Sequence, residues 1–398
     1  MYYFCNGLLN QKNSRLVVFS CLLLLLLGTN AYAKQSQEIP AYNQAAETLV
    51  GFWNQRAYEE FSGMMNVSAI SRRVLKGLGF SEKQKLEFTK GFKAGMRKSV
   101  DKIINQVPET RYVKLLKTTP MENGIKALVR VDYGDSGLSY LEFYLKKTTS
   151  STVKVVDWYD YAQGQKFSET VRQLLVMRMP ASSMVDRIFN IMDGKEAVRQ
   201  QLIKVMKSIQ ENKPDEFEKI YQTLGKEARE NKMLMILAVK MAILSQDDKF
   251  YRQVLNDLNK YHGTDTTVTF LLIDHLFYQK QYDAAVQAIE RFQNNLGIED
   301  AGLMSLKSNM LTLKGYPEKG ARLAEKAIEK EPEFEDSYWS LFFSLASSEK
   351  HEQAVKVAAV LEDRFGYELN SASLAENEAY NGLRQSQVFK QWRAGRNK

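Results

Sequence analysis

His262, His275 and His351 are the residues of this 398-residue chain whose type most readily does acid–base or metal chemistry. They fall in a turn, on one helix and on another. No pair sits at ligand spacing with carboxylates, so the pattern of a metal site is missing. Cys5 and Cys21 both lie within the first 33 residues, which leaves the remainder without a thiol nucleophile or ligand. His275 follows Asp274, the order of an oriented base, but a lone Asp-His pair on an apolar helix more often serves packing and capping. No G-x-S-x-G, P-loop or G-x-G-x-x-G occurs, so the signatures of acyl transfer, nucleotide and dinucleotide binding are missing. One carboxylate merits a sharper reading. Asp157 shares strand parity with Val153 and Val155, and a carboxylate facing an apolar interior is desolvated and raised in pKa, as proton transfer requires. The competing reading is a strand-end carboxylate that binds the backbone of the Tyr159–Gly164 loop. No partner acid, Tyr or His can be fixed by spacing. The expectation is therefore no enzyme, no metal and no cofactor, with Asp157 kept as a candidate pocket residue.

The elements that would position these residues begin with a leader. Lys12 and Arg15 form a positive region without acids, and the apolar run Leu16–Leu27 is too short to span a bilayer comfortably. Ala31-Tyr-Ala33 then offers a small-residue cleavage site, so residues 1–33 read as a signal peptide. A retained anchor is the alternative. Cys21 lies inside the apolar run instead of after it, which excludes a lipoprotein signal. No later stretch is long and apolar enough to cross a membrane. An exported chain without thiols has no disulfides and depends on its core. The formal charge of +8 falls to +6 once Lys12 and Arg15 leave with the leader. Apart from Lys390, Arg393, Arg396 and Lys398, that charge is interspersed, which is a solvated surface and not a nucleic-acid footprint. Asn66-Val-Ser68 matches a glycosylation sequon, a chance match in a bacterial chain.

After the leader, residues 41–63 and Val67–Leu78 show helical periodicity, and Ser81-Glu-Lys-Gln84 is a capping-box start for a helix over 82–106. The period then changes to two. Tyr112–Lys117 predicts a strand. In the next, Ile125, Ala127, Val129 and Val131 alternate with Lys126, Arg130 and Asp132. Leu141, Phe143 and Leu145 make a third strand, and Val153–Asp160 a fourth, with turn residues at Glu122–Gly124, Gly134–Gly137 and Thr148–Thr152. Short loops between such strands imply an antiparallel meander and an α+β domain. Its last strand, Val153-Lys-Val-Val-Asp-Trp-Tyr-Asp160, and the segment Gly164–Met177 that follows resemble the cone fold shared by nuclear transport factor 2, ketosteroid isomerase and periplasmic phospholipid carriers. That resemblance implies a cavity able to hold a lipid or other apolar ligand, with Asp157 as its acid.

From Phe167 helical periodicity resumes. Met179–Ser183 combines a Pro with N-cap residues and marks a domain boundary, across which few contacts are expected. Beyond it, helix pairs are predicted at 197–224, 232–260, 266–295, 301–330 and 335–364, with Met206, Met233, Met235 and Met241 as core filling. The stripe Leu323, Ala324, Ala327, Ile328 ended by Pro332 returns around Ala285 and Ala354, close to a 34-residue period. Together with Met304, Leu311, Gly320, Leu272, Ile289, Phe292, Tyr338, Leu341, Ala358 and Leu361, these residues make Thr266–Gly366 resemble three degenerate tetratricopeptide repeats, with Gly297 and Gly366 standing where Pro is usual. The resemblance implies a concave groove, lined by the first helix of each pair, that holds an extended segment of a partner. Carried over by position, the groove contains Phe270, Asp274, Phe277 and Tyr278, then Ser305, Asn309 and Thr312, then Asp336, Trp339 and Phe343. Ser373–Glu376 starts a terminal cap carrying Tyr380, Leu383, Phe389 and Trp392.

The sequence thus predicts a signal peptide (1–33), an α+β cone-like domain (34–180), an all-α repeat solenoid (181–367) and a capping helix with a basic tail (368–398). The expected function is that of an exported, periplasmic adaptor for a protein partner in an envelope assembly. A lipid or apolar-ligand carrier is the second reading and an enzyme using the cone acid the third. Neither nucleic acid nor a membrane span in the mature chain is expected. N-terminal sequencing of the protein purified from its native host should begin at Lys34; recovery of Met1 on membrane-bound material would overturn both cleavage and soluble export.

Overall fold

Two of the early helix starts are set by short-range side-chain chemistry. Asn66 accepts from the Ala69 amide (3.0 Å) and opens the helix Val67–Leu75, while Ser81 and Gln84 exchange side-chain-to-amide bonds (2.9 and 3.3 Å) at the start of the helix Glu82–Asn105. The computed structural model describes residues 39–105, 112–134, 137–176, 203–205, 207–209, 211, 213–375 and 377–396. The leader and the Met179–Ser183 boundary lie outside the described residues. The helices α1 (39–54), α2 (Tyr58–Gly63), α3 (Val67–Leu75) and α4 (Glu82–Asn105) come first. The apolar periodicity over 41–63 is one stripe in sequence but two helices, because Arg56 turns the chain through a left-handed conformation (φ 54°).

The meander follows as β1 (Tyr112–Met121), β2 (Gly124–Asp132), β3 (Leu138–Lys147) and β4 (Val153–Asp160), with a two-residue β5 (Gln165–Lys166) that the sequence did not suggest. All neighbours are antiparallel in the order β1-β2-β3-β4-β5. The alternation read from sequence sorts the two faces. Ile125, Ala127, Val129 and Val131, with Phe143 and Leu145, pack on α1–α4 and on α5 (Phe167–Val176), around Trp53, Phe61 and Trp158. Trp53 and Phe61 meet edge to face at 5.3 Å, and Trp158 stacks on Phe167 at 3.9 Å. At the open edge the Asn54 carboxamide acts as a strand partner. It donates to the Val113 carbonyl (2.8 Å) and accepts from the Val113 amide (2.7 Å). Together with a bulge between Leu115 and Lys117, this leaves less of β1 open to pairing.

The helical part contains α6 (Pro214–Gln222), α7 (Lys226–Arg229), α8 (Lys232–Ser245), α9 (Asp248–His262), α10 (Thr266–Tyr278), α11 (Tyr282–Leu296), α12 (Ala301–Leu313), α13 (Pro317–Lys330), α14 (Glu335–Ser347) and α15 (His351–Phe365). Residues 203–205 and 207–209 are also helical. From α8 onward these are helical hairpins whose first helices begin about 34 residues apart. First helices such as α8 and α10 are apolar on all sides, as befits elements enclosed by neighbours. Second helices such as α11 and α13 keep a polar outer face. Met235 and Met241 fill the core between α8 and its neighbours. A backbone signature repeats at each hairpin turn: Gln246 (φ 55°), Lys280 (55°), Gly315 (91°) and Glu349 (56°) are all left-handed. The residue after three of them closes a helix-terminating bond, Gln281 to Leu276 (2.9 Å), Tyr316 to Leu311 (2.9 Å) and Lys350 to Leu345 (3.0 Å). The array ends in a 3₁₀ turn (Glu378–Tyr380), α16 (Asn381–Gln385) and α17 (Gln387–Arg396), which bury Tyr380, Leu383 and Phe389. The predicted single capping helix is broken at Ser386, whose ψ of 146° is extended. The tail cations Arg393 and Arg396 pair with Glu362 and Asp363 (each 2.6 Å).

The expectation that few contacts cross between the two halves does not hold. The second face of the sheet (Leu128, Tyr140, Tyr159 and Tyr161) forms one cluster with Ile273, Leu276, Phe292, Leu303 and Met310 of the repeats. Both faces of the meander are therefore covered, one by α1–α5 and one by the repeat helices.

Three of the four hairpin turns put an L-residue with a side chain in the left-handed region, at a cost of about 1–2 kcal/mol each. Lys280→Gly and Glu349→Gly should each stabilise the protein by up to about 1 kcal/mol once glycine's added unfolded-state freedom is subtracted. Urea denaturation that showed both variants less stable than wild type would contradict the repeated turn geometry.

Candidate functional site: a concave cleft beside a buried ion-pair cluster

The centre of the interface between the halves is a cation. Arg130 on β2 is fully buried, with its Nη1 2.6 Å from Asp300 Oδ1 and its Nη2 2.6 Å from Glu331 Oε1. Directly across the sheet from Arg130 stands Tyr140, whose hydroxyl donates to Asp300 Oδ2 at 2.6 Å. Lys114 of β1 reaches Glu331 Oε2 at 2.7 Å, and the guanidinium lies 4.1 Å from the centre of the Phe334 ring. The acids come from helix ends. Asp300 caps α12, accepting from the Leu303 amide (3.2 Å), and Glu331 ends α13 just before Pro332. α11 and α15 finish instead on left-handed Gly297 and Gly366. The central hairpin, which lacks that glycine, ends on a carboxylate that pairs with the sheet, whereas α11 meets the sheet through its terminal carbonyls, Leu296 and Gly297 accepting from Lys117 Nζ at 3.0 and 3.1 Å. Only small residues fit here: a Cβ on Gly302 would lie 2.6 Å from Leu138 Cδ1 and 3.0 Å from Arg130 Cδ.

Burial opposes the charge on Arg130, but Asp300 and Glu331 more than offset this and hold the guanidinium above its ordinary pKa. Burial, then the adjacent Asp300 charge, pushes the Tyr140 phenol well above its ordinary value. Burial would raise Glu331, yet hydrogen bonds and charge from Arg130, then Lys114, bring it below the usual carboxylate range. Stability from Glu331 is accordingly present above its unfolded-state pKa and is lost as pH falls through the lower, folded one.

Beside this cluster lies an open cleft of about 560 Å³. Phe270, Ile273 and Phe277 of α10, Leu306, Asn309, Met310 and Leu313 of α12, and Trp339 and Phe343 of α14 line it. Gly137 and Leu138 of the β2–β3 hairpin form one border, and Asn377 and Tyr380 of the cap form another. A smaller cleft of about 260 Å³ shares Leu306, Asn309 and Trp339 and adds Gly134, Gly302, Ser305, Asp336, Ser340 and Tyr367. Of the residues read from sequence as a groove, Phe270, Phe277, Asn309, Trp339 and Phe343 line the larger cleft, and Asp336 and Ser305 the smaller. Trp339 and Phe343 are half-buried, whereas neighbouring Tyr338 is buried, bonded to Arg364 (3.1 Å) and packed on Phe365. Ser305 and Thr312 are buried in a hydroxyl ladder between α12 and α14, with Ser305 to Ser337 at 2.9 Å and Thr312 to Ser344 at 2.7 Å. Gly320 of α13 lies against the same ladder, where a Cβ would meet Thr312 Oγ1 at 2.3 Å and Ser344 Oγ at 2.8 Å. The side chains of Asp274 and Tyr278 lie outside the described residues. The sequence pattern did not mark Leu138 or Tyr380 as cleft residues, because the hairpin and the cap meet the repeats only in the tertiary fold.

Asp157 departs from the parity that placed it beside Val155. A bulge pairs Leu145 with Val155 and Tyr144 with Asp157, so Val156 is an extra residue and the alternation is broken. Asp157 accepts from the Ser168 hydroxyl (2.6 Å), the Ser168 amide (3.1 Å) and the Trp158 amide (3.1 Å), with Arg73 Nε 3.9 Å away. It thereby holds the first turn of α5. Burial raises its pKa, and the Ser168 and Trp158 bonds and Arg73 only partly offset that. Neither cleft described above is lined by Asp157. His275 packs between α9 and α10 with Nε2 3.1 Å from Asn256 Oδ1, its pKa lowered by burial and then by Arg252. Among the described residues no His, Cys, Asp and Glu group could hold a metal, and no helix is long and apolar enough to cross a membrane.

Compared with models of protein families and with curated proteins, the chain matches none.

Removing one partner of a buried charge cluster costs about 3–5 kcal/mol, because the others stay desolvated and unpaired. Arg130→Met should therefore destabilise the chain on that scale in urea denaturation. Lys114→Met, at a third-exposed position, should cost under about 1 kcal/mol. Equal, small effects for both would mean that the cluster does not hold the halves together.

Proposed function

We propose that this protein is a binding protein of the tetratricopeptide-repeat type, an adaptor that holds a segment of a partner protein in its concave cleft. The observation that carries this reading is the convergence of Phe270, Phe277, Trp339, Phe343 and Tyr380, from the first helices α10 and α14 and the cap, on one open cleft. Aromatic side chains of this kind supply large contact area at low entropic cost and dominate interface energetics. The helical hairpins spaced about 34 residues apart support the repeat type. The leader-like residues 1–33 support export, with a periplasmic setting and an envelope assembly as the site of action. An apolar small molecule is the second reading, favoured by a cleft volume within the range of ligand pockets. Mass spectrometry of the purified protein under gentle conditions separates the two, by a stoichiometric protein partner or a co-purifying lipid.

Trp339→Ala and Phe343→Ala should each lower partner affinity by a few kcal/mol while leaving the fold largely intact. Tyr338→Ala, which empties a buried site, should be the destabilising member of the three, at about 3 kcal/mol or more. Thermal melting decides this before any partner is in hand. Melting about ten degrees low in both Trp339→Ala and Phe343→Ala, with Tyr338→Ala unaffected, would remove the groove reading.

A further inference from the structure

We infer that the outer face of α4 is a membrane-surface contact, whose partner is a bilayer carrying anionic phospholipid headgroups. The surface is separate from the cleft and goes beyond the binding function proposed above. The chain's positive surplus is not spread evenly. Between Arg72 and Lys98 stand nine Lys and Arg residues against Glu82 and Glu87, a surplus of seven out of the +8 of the whole chain. Lys12 and Arg15 of the leader add two, so everything else sums to −1. The interspersed, solvated charge expected from the sequence describes that remainder and not this segment.

The structure sets part of the surplus on an open surface. From Glu82 to Gly95 no residue of α4 is buried; Phe88 and Phe92 are half-buried and stack on each other at 5.4 Å. On the other side, Lys83, Leu86, Lys90 and Lys93 follow at steps of three, four and three residues, which on a helix makes one stripe. All four are exposed, Leu86 by 56%. Glu82 is taken by Lys85 at 2.6 Å, and Glu87 lies at the margin of the stripe, so the acids do not cancel it. Lys90 and Lys93 repel each other along the helix, a cost that a negative surface relieves. The end of α3 adds the exposed cations Arg72 and Lys76.

The residue types choose among polyanions. Lysine is a compact point charge on a flexible stem, which finds a headgroup phosphate without fixed geometry. A leucine among such lysines gains little from nucleic acid. Against a bilayer it is buried at the acyl boundary while the lysine stems reach back to the headgroups. Base stacking needs open rings, and Phe88 and Phe92 pack toward the core of the sheet domain. The export proposed above would set this face beside a membrane.

The test takes the protein as purified from its native host and measures co-sedimentation with vesicles of phosphatidylcholine alone or mixed in equal parts with phosphatidylglycerol. Binding is expected to the anionic vesicles only, weakening as salt screens the charges. Lys83→Gln, Lys90→Gln and Lys93→Gln together should weaken it about a hundredfold, the usual gain per cation taken three times. Lys249→Gln, Lys326→Gln and Lys356→Gln, exposed on α9, α13 and α15, change the net charge equally and should leave binding within about threefold. Leu86→Ser changes no charge and should weaken binding about fivefold. Equal losses in the two triple variants, equal binding to both vesicles, or no vesicle binding would overturn the inference. Leu86→Ser binding as tightly as wild type, or binding to polyglutamate without binding to vesicles, would assign the stripe to a soluble polyanion and overturn it too. None of these results touches the cleft, whose reading depends on Trp339 and Phe343.

Discussion

Arg130 is a desolvated cation in the middle of a β-strand, and the arrangement of the two halves depends on where its charge is answered. A guanidinium buried without acceptors would cost many kcal/mol, so the sheet can be covered on that face only by something that delivers carboxylates at the right height. Asp300 and Glu331 do this from the start of one repeat helix and the end of the one after it, at 2.6 Å each. Tyr140 and Lys114 then occupy further carboxylate oxygens, leaving Arg130 Nε as the donor without an acceptor. Non-polar packing around Leu128, Tyr140, Phe292 and Met310 supplies the area. The ion pairs make one docking geometry far better than its neighbours, since a shift by one residue would strand three buried charges.

This docking decides what remains of the concave surface. A solenoid of helical hairpins presents its first helices along one continuous inner face. Here the sheet covers part of that face: Tyr140 meets Phe270 edge to face at 5.0 Å, and Leu138 abuts Gly302. What is left open is bordered by the β2–β3 hairpin on one side and the cap at Tyr380 on another. The cleft is thus composite, made by the sheet and the repeats together. A ligand there would touch residues on either side of the ion-pair interface, so its affinity and the docking of the halves are thermodynamically linked.

Much of the architecture was legible in the sequence because it is encoded locally. The Ser81–Gln84 capping box, the two-residue alternation of β2 and β3 and the spacing of the helical hairpins each depend on residues within a few positions of one another. The inward Tyr338 and the cleft-lining Trp339, Phe343 and Asn309 stand where the resemblance to the repeat pattern assigned them. Ser305 and Thr312 share the groove assignment, yet the ladder to Ser337 and Ser344 draws them into the contact between α12 and α14. Phase fixes which side of a helix a residue occupies, and the neighbour's distance decides whether that side is groove or interface.

By itself the sequence determined the element types, the repeat spacing and the two faces of the meander. Only the tertiary structure decided what covers the second face. Alternation correctly set Arg130 opposite to Val129 and Val131, but a charged residue in that phase reads as solvent-facing. Its partner Asp300 lies 170 positions away, beyond any periodicity. Asp157 shows the same limit from the other side. Parity placed it beside Val155, and one bulge residue cancelled the argument, because a bulge shifts the register by one without leaving a mark in the pattern of the strand.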